Sequence, residues 1–574
     1  MRLNTPLPRS SYSRIRVRGT SLQLLETLTE TYGVASNPSP VGVVVSTGEG
    51  EASTYLADLR KRTPQEVVDY AREWEFPQSE HWNSGAFDVG QAFSTVVKER
   101  ALEFSRLAPE VVNLPSLFVG RFFDGLREAL DGGVAVEWQV LLGSLMSLPI
   151  QSSAVTSEDD SSEEWRYPIV TALHVIERGL DKRASSGFVQ SDFDLALDFA
   201  SRYLLDPDPV SDSPSSFADL GGDPINRALN GVQTVAIATV ARLAHASTHA
   251  FDEGSEEFVQ RAVGTLDMLL TPERTQSSAV AAAFGSAFGQ LQESAPLWLD
   301  EHQDRLLTAD WYGDVVSIVA VLFYRRPGEF FDVMSAKVSE LIDRASKGED
   351  FKKGWTQNVS VVERIGEHLV LMVLNDQREL TDPMVEQFFR ETPAALKAAA
   401  LGEIGRILSN DQSIPSEILV RAQQLWDHRA EAVSKSGSDM TELSQFYMWV
   451  HSGAFPIDWW LPRLLEVVAA TDFEGRTYLG EHLAEASRVD PASALEVLDR
   501  LIRTTSTTWV RYGLVEYAPE VIARAQVSGI EEAEARGRDL TDYLGREGFL
   551  RFSDLVEEAQ ASLDDPDSSA QGHS

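Results

Sequence analysis

Arg62-Thr63-Pro64-Gln65-Glu66-Val67-Val68-Asp69-Tyr70 is the stretch that decides the class of fold. Thr63 is a capping residue, and Pro64 suits the first helical position because its missing N–H would have no intrahelical partner there. Glu66 brings an acid to the first turn, and Val67, Val68 and Tyr70 begin an apolar face. The same layout returns at Thr271-Pro272-Glu273, Thr381-Asp382-Pro383, Thr392-Pro393 and Asp490-Pro491-Ala492.

Between these starts the apolar residues keep helical spacing. Leu117, Phe118, Phe122, Leu126 and Leu130 form one stripe; Phe193, Leu197, Tyr203 and Leu204 form a second, and Leu461, Leu464, Leu465 and Val468 a third. From about Leu56 onward the expectation is a succession of short helices with short connectors. The persuasive strand candidate is Val41 to Ser46, a β-branched run closed by Thr47-Gly48-Glu49-Gly50.

At 574 residues the chain is too long for one ordinary core. Paired helices that bury their faces on their neighbours resolve this, and such repeats diverge in sequence while keeping the architecture. The reading is all-α: an α-solenoid-like array of helical hairpins of HEAT or armadillo type, with a short irregular or β-containing N-terminal segment. It divides into a basic, partly irregular N-terminal segment (1–58), three parts of the array (59–205, 225–345 and 355–558) and an acidic disordered tail (559–574). Interruptions at Gln151 to Glu164 and Asp206 to Pro224 are long enough to be disordered or functional loops.

Composition narrows the function. Hydrophobic residues at 43% and charged residues at 24% describe a folded chain. The net charge of -38 repels phosphate backbones, so general nucleic-acid binding is not expected. The absence of cysteine excludes disulfides, Cys-ligated zinc, iron–sulfur clusters and a thiol nucleophile. No apolar run reaches the roughly 18 to 20 residues of a membrane span, and no signal-peptide pattern follows the N-terminus. The expected location is therefore cytoplasmic. Arg2, Arg9, Arg14, Arg16 and Arg18 form an arm without an acid, read either as a flexible tail or as a docking arm for an acidic partner or nucleic acid.

The motifs of chemistry are weak. There is no P-loop, and Gly48-Glu49-Gly50 lacks the third glycine of a dinucleotide turn. His245 and His249 stand one helical turn apart, as in helical zinc sites, but Ala246 replaces the general base and no third ligand is evident. Asp206, Asp208 and Asp212 loosely resemble a calcium loop without its glycine and closing Glu. No Gly-x-Ser-x-Gly elbow occurs. No catalytic residue, cofactor or metal is assigned.

The aromatic cluster Phe446, Tyr447, Trp449, Phe455, Trp459 and Trp460 has two readings: an interface built on Trp449, Trp459 and Trp460, or filling between two helices. Ser84-Gly85-Ala86-Phe87 recurs as Ser452-Gly453-Ala454-Phe455, suggesting a shared helix-ending glycine or chance.

Several segments, taken in order, resemble the long α-helical C-terminal region of large bacterial signal-transduction ATPases of the STAND type, many associated with antiphage defence. They are Arg62 to Tyr70, Leu107-Ala108-Pro109, the helix from Leu117 to Leu130, Ala228-Leu229-Asn230-Gly231-Val232-Gln233, Leu425-Trp426-Asp427-His428-Arg429, Trp449 to Phe455 with Trp459, and Tyr543 to Phe552. The resemblance is one of collinear pattern over roughly Leu59 to Val556. It implies a HEAT-like sensor or scaffold beside an ATPase and an effector. The nucleotide-binding module of that family is absent from this sequence, so it belongs to a separate partner, or the chain is a fragment or stand-alone derivative. The expected function is non-catalytic binding of a protein partner, an ATPase or effector encoded nearby. An enzyme with scattered carboxylates and an arginine-arm nucleic-acid binder are the alternatives.

Overall fold

The structure, a computed structural model, describes residues 51–74, 84–150, 161–181, 187–206, 223–251, 253–271, 277–323, 330–349, 351, 360–409, 414–436, 440–471 and 478–564. Among these residues the chain forms 28 α-helices and two short 3-10 helices, and no strand. The N-terminal arm, the strand candidate at Val41 to Ser46, and Thr271-Pro272-Glu273 beyond its threonine lie outside the described residues.

The first nine helices are α1 (Glu51–Leu59), α2 (Pro64–Glu73), α3 (Ser84–Glu99), α4 (Ala101–Arg106), α5 (Ala108–Val111), α6 (Ser116–Asp131), α7 (Trp138–Leu145), α8 (Ser161–Asp181) and α9 (Asp192–Ser201). The middle ones are α10 (Pro224–Asn230), α11 (Val232–Ala250), α12 (Ser255–Gly264), α13 (Ser278–Ser294), α14 (Pro296–Leu306), α15 (Trp311–Phe323), α16 (Phe330–Val333), α17 (Ser335–Ser346) and α18 (Val361–Leu374). Then follow α19 (Pro383–Glu391), α20 (Ala394–Leu408), α21 (Ser416–Ser436), α22 (Phe446–His451), α23 (Ile457–Ala470), α24 (Leu479–Ala486), α25 (Pro491–Thr504), α26 (Thr508–Gln526), α27 (Glu531–Arg546) and α28 (Phe552–Asp564).

Three of the helix starts form as their residues dictate, whereas at Thr392-Pro393 the proline is itself the N-cap of α20 and Thr392 ends α19, its hydroxyl donating to the Phe388 carbonyl at 2.7 Å. Thr63 accepts from the Glu66 amide while the Glu66 carboxylate accepts from the Thr63 amide at 2.7 Å, a complete capping box. Asp382 and Asp490 cap α19 and α25 with Pro at the following position. The stripe of α6 is buried along Phe118, Phe122, Leu126 and Leu130. Tyr203 and Leu204 are buried too, but they sit in a turn beyond the end of α9. The Ser-Gly-Ala-Phe repeat has no common conformation: Ser84 opens α3, whereas Gly453, at φ 65°, follows the end of α22.

The helices form two layers. One is a ladder in which α1, α3, α6, α8, α11, α13, α15, α18, α20, α22, α24, α26 and α28 each pack on the next. The helices between them, α10 excepted, form an outer layer, where α5 packs on α7, α7 on α9, α17 on α19, and α25 on α27. A single apolar core runs between the layers from Leu59 to Val556. This is the α-solenoid: each hairpin leaves an apolar face bare until its neighbour covers it.

Polar contacts mark the same repeat on the ladder. Lys98 on α3 pairs with Glu128 on α6 at 2.9 Å, and Asp131 on α6 with Arg178 on α8 at 2.8 Å. Asp181 on α8 pairs with Arg242 on α11 at 3.4 Å, and His245 on α11 with Glu293 on α13 at 2.8 Å. Each partly exposed pair is worth at most about 1 kcal/mol, so the series fixes register more than stability. The outer layer has its own, including Arg106 with Glu137 and Arg463 with Asp427.

Glycines set the ladder spacing. A Cβ on Gly125 would lie 2.5 Å from the Ser94 oxygen, one on Gly285 2.6 Å from the Val316 oxygen, and one on Gly405 2.4 Å from the Met448 carbonyl carbon. These neighbours are backbone and cannot swing aside. Alanine in a helix is about 1 kcal/mol better than glycine, but overpacking costs about 1–3 kcal/mol. Gly405→Ala is therefore expected to destabilise the chain, whereas Gly143→Ala on α7, which meets nothing within 4 Å, should stabilise it. Urea midpoints of the two variants check the opposite signs.

Candidate functional site

The free face of the ladder carries polar stripes at helical spacing. On α8 they are Tyr167, Thr171, His174, Arg178 and Asp181; on α6, Arg121, Asp124, Glu128 and Asp131; on α11, Arg242, His245 and His249. The opposite faces of these helices are buried, which turns the stripes outward except at Asp124 and Thr171, which are buried within them.

Two clefts open along this face and meet at His174. The first, about 110 Å³, has a floor of small residues from α11 and α13, with His174, Glu177, Arg242 and Gln290 among its polar lining. The second, about 370 Å³, is polar and lies over α3, α6 and α8. Together they cross α3, α6, α8, α11, α13 and α15.

Asp124 organises the second cleft. Tyr167 donates a short hydrogen bond to its carboxylate, Arg121 donates another at 3.2 Å, and Arg127 lies 3.6 Å away. The Arg121 guanidinium sits 5.2 Å from the Phe87 ring centre and 5.9 Å from that of Tyr167. Gly120 makes room for Tyr167, since a Cβ there would stand 2.5 Å from the ring. Burial, then the bond to Asp124, pushes the Tyr167 phenol up to about 12, so it stays a hydrogen-bond donor at neutral pH. Gln91, Ser94, Thr171 and Asn230 complete a lining of amides and hydroxyls beside the charged groups. Such walls suit polar and main-chain groups of a bound segment.

The residues singled out from the sequence fall elsewhere. Arg9, Arg14, Arg16 and Arg18 lie outside the described residues. Trp449 and Trp460 are core residues, which corrects their assignment to a binding surface. The Trp449 indole donates to the Leu401 carbonyl at 2.8 Å and packs against Trp426, Phe455 and Trp459, tying α22 to α20. Trp459 is half-buried, with the Arg463 guanidinium 4.5 Å above its ring. The cluster fills the junction of helices and offers no row of open indoles.

His245 and His249 do face each other, with ring centres 5.3 Å apart, but His245 Nε2 is 2.8 Å from Glu293. No group of three metal-ligating side chains occurs among the described residues. Asp206 turns inward and is buried, while Asp208 and Asp212 lie outside the described residues. Two other histidines serve packing. His302 stacks on Trp298 at 4.7 Å, and His368 meets the Val321 carbonyl at 3.0 Å. Among the described residues no helix is long and apolar enough to cross a membrane.

Sequence reading passed over Arg121, Asp124, Tyr167 and Arg242. The signal was present as the polar stripe of α8, set against its apolar face. Stripes alone do not say that three helices align theirs.

Compared with known proteins, the chain matches no family model and no curated protein.

Proposed function

We propose that the chain is a protein-binding helical array, and that the ladder face between α3 and α15 receives a segment of its partner. The observation that carries this reading is the pair of clefts meeting at His174, which cross six ladder helices and combine an apolar floor with charged and amide walls. Extended faces of stacked repeats are suited to this use, because each repeat adds contacts without changing the rest. The resemblance to the helical region of STAND-type ATPases supports a partner that is an ATPase or effector, with this chain as sensor or scaffold.

The test is affinity purification from the native host of the parent chain and of the Arg127→Ala, Arg242→Ala double variant. Both side chains are partly exposed, and their ion pairs contribute little to stability. The expected result is a partner recovered with the parent and reduced at least tenfold with the variant, at an unchanged thermal transition. Equal recovery with both chains would move the interface elsewhere, and a solitary chain carrying bound nucleotide or metal would overturn the reading.

A further inference from the structure

One helix stands outside the alternation of layers. α10 packs on α11 and, more extensively, on α13, both ladder helices, and its residues line the free face instead of the outer layer. Ile225, Ala228 and Leu229 border the first cleft, and Asn230 borders the second. α10 therefore lies in the groove, at the place where the two clefts would otherwise run together.

Few of its side chains are buried. Asp223 caps it by accepting from the Ile225 amide at 2.9 Å, and only Pro224, Ile225 and Ala228 are buried along its seven residues. Leu229 is 49% exposed, and Asn226 and Asn230 face outward. α11 and α13, by contrast, each bury twelve residues, so the groove walls persist when α10 leaves. A segment with few buried contacts opens without the rest of the fold.

We propose that α10 is a displaceable internal occupant of the ladder groove, and that the partner is a short amphipathic helix carrying the same apolar pattern at i, i+3 and i+4. The inference rests on the ladder face being the binding face and deepens that reading by naming the chemistry of what binds. α10 shows what the floor of small residues accepts: buried Ile225 and Ala228 on a single helical face with half-exposed Leu229 at its edge, and amides on the other. A partner helix with larger apolar residues at these positions fills the groove better and releases α10.

Because the chain has no cysteine, one introduced thiol reports without background. Ala283 lines the first cleft and is 1% exposed. With Ala283→Cys in the full chain, labelling by an aromatic disulfide reagent should be at least tenfold faster when Ile225→Asp is added, at an unchanged thermal transition. A synthetic acetylated peptide of residues 223–231 at millimolar concentration should slow that labelling again, and a scrambled peptide should not. Native-state hydrogen exchange of the unaltered chain gives an independent reading should the double variant fail to fold. Amides of residues 226–230 should exchange at least a hundredfold faster than those in the middle of α11.

Equal labelling in both variants, no protection by the peptide, or exchange of α10 only together with α11 would each overturn the inference. None of these bears on the recovery of a partner by the parent chain, so the failure of this inference and the failure of the proposed binding face remain distinguishable.

Discussion

Asp314→Ala is expected to destabilise the chain by about 3–5 kcal/mol, because it takes from a buried ammonium its one buried counter-charge among the described residues. Asp314 on α15 is 3% exposed and Lys337 on α17 is 5% exposed. The Lys337 ammonium donates to Asp314 at 2.9 Å and to Glu340 at 3.1 Å, while Arg344 donates to the other Asp314 oxygen at 2.7 Å and continues to Glu349 at 2.6 Å. Arg344 has two further carboxylates; Lys337 keeps only half-exposed Glu340. The double variant Asp314→Leu, Lys337→Met removes both charges and should recover most of the loss, since apolar replacements of buried pairs are often neutral or better. Urea denaturation of the parent, the single and the double variant measures this. A double variant as unstable as Asp314→Ala would show that the charges themselves hold α17 to α15.

Asp206→Asn should change how stability depends on pH. Asp206 follows α9, is 5% exposed, and has one carboxylate oxygen without a hydrogen-bond partner among the described residues. Burial pushes its carboxyl from 3.8 up to about 7, against the opposing pull of Arg166. In the unfolded chain the group ionises near its ordinary value, so between about pH 4 and pH 7 the folded state binds the extra proton. Stability therefore falls as pH rises through that window and is level with respect to this group above it. Three pKa units correspond to about 4 kcal/mol, which the neutral amide avoids. The variant and parent should be alike near pH 4, and the variant should be the more stable by on the order of 4 kcal/mol at pH 8. Parallel denaturation midpoints across the whole range would rule out a proton held at Asp206.

The helical class and many helix starts were legible because their causes are local. Thr63 and Glu66 satisfy each other's backbone amides within one turn, and Asp382 and Asp490 do the same work next to a proline that already has helical φ. Interior prolines show the limit of the same rules. Pro168, Pro462 and Pro519 lie within α8, α23 and α26, where an isolated helix would kink or end. Packing against neighbouring helices carries these helices past them.

The candidate site was legible only in part. The stripe from Tyr167 to Asp181 is visible in the sequence, but Asp124 and Tyr167 are 43 residues apart, and Asp181 and Arg242 are 61 apart. Nothing in either local segment names its partner. Trp449 keeps two readings in the sequence for a related reason: a Trp at helical spacing looks the same in a core and at an interface, and the Leu401 carbonyl that takes its N–H lies 48 residues upstream.

The sequence by itself determined that this protein is built of short helices, several of them capped by their own Thr or Asp, since capping and a 3.6-residue period act within a few residues. Only the tertiary structure decided which helices form the ladder and which the outer layer, which charged stripes share one face, and that α10 leaves the alternation to lie in the groove. Those outcomes depend on contacts between segments thirty to sixty residues apart, where the energy lies in the fit of two surfaces and not in either sequence alone.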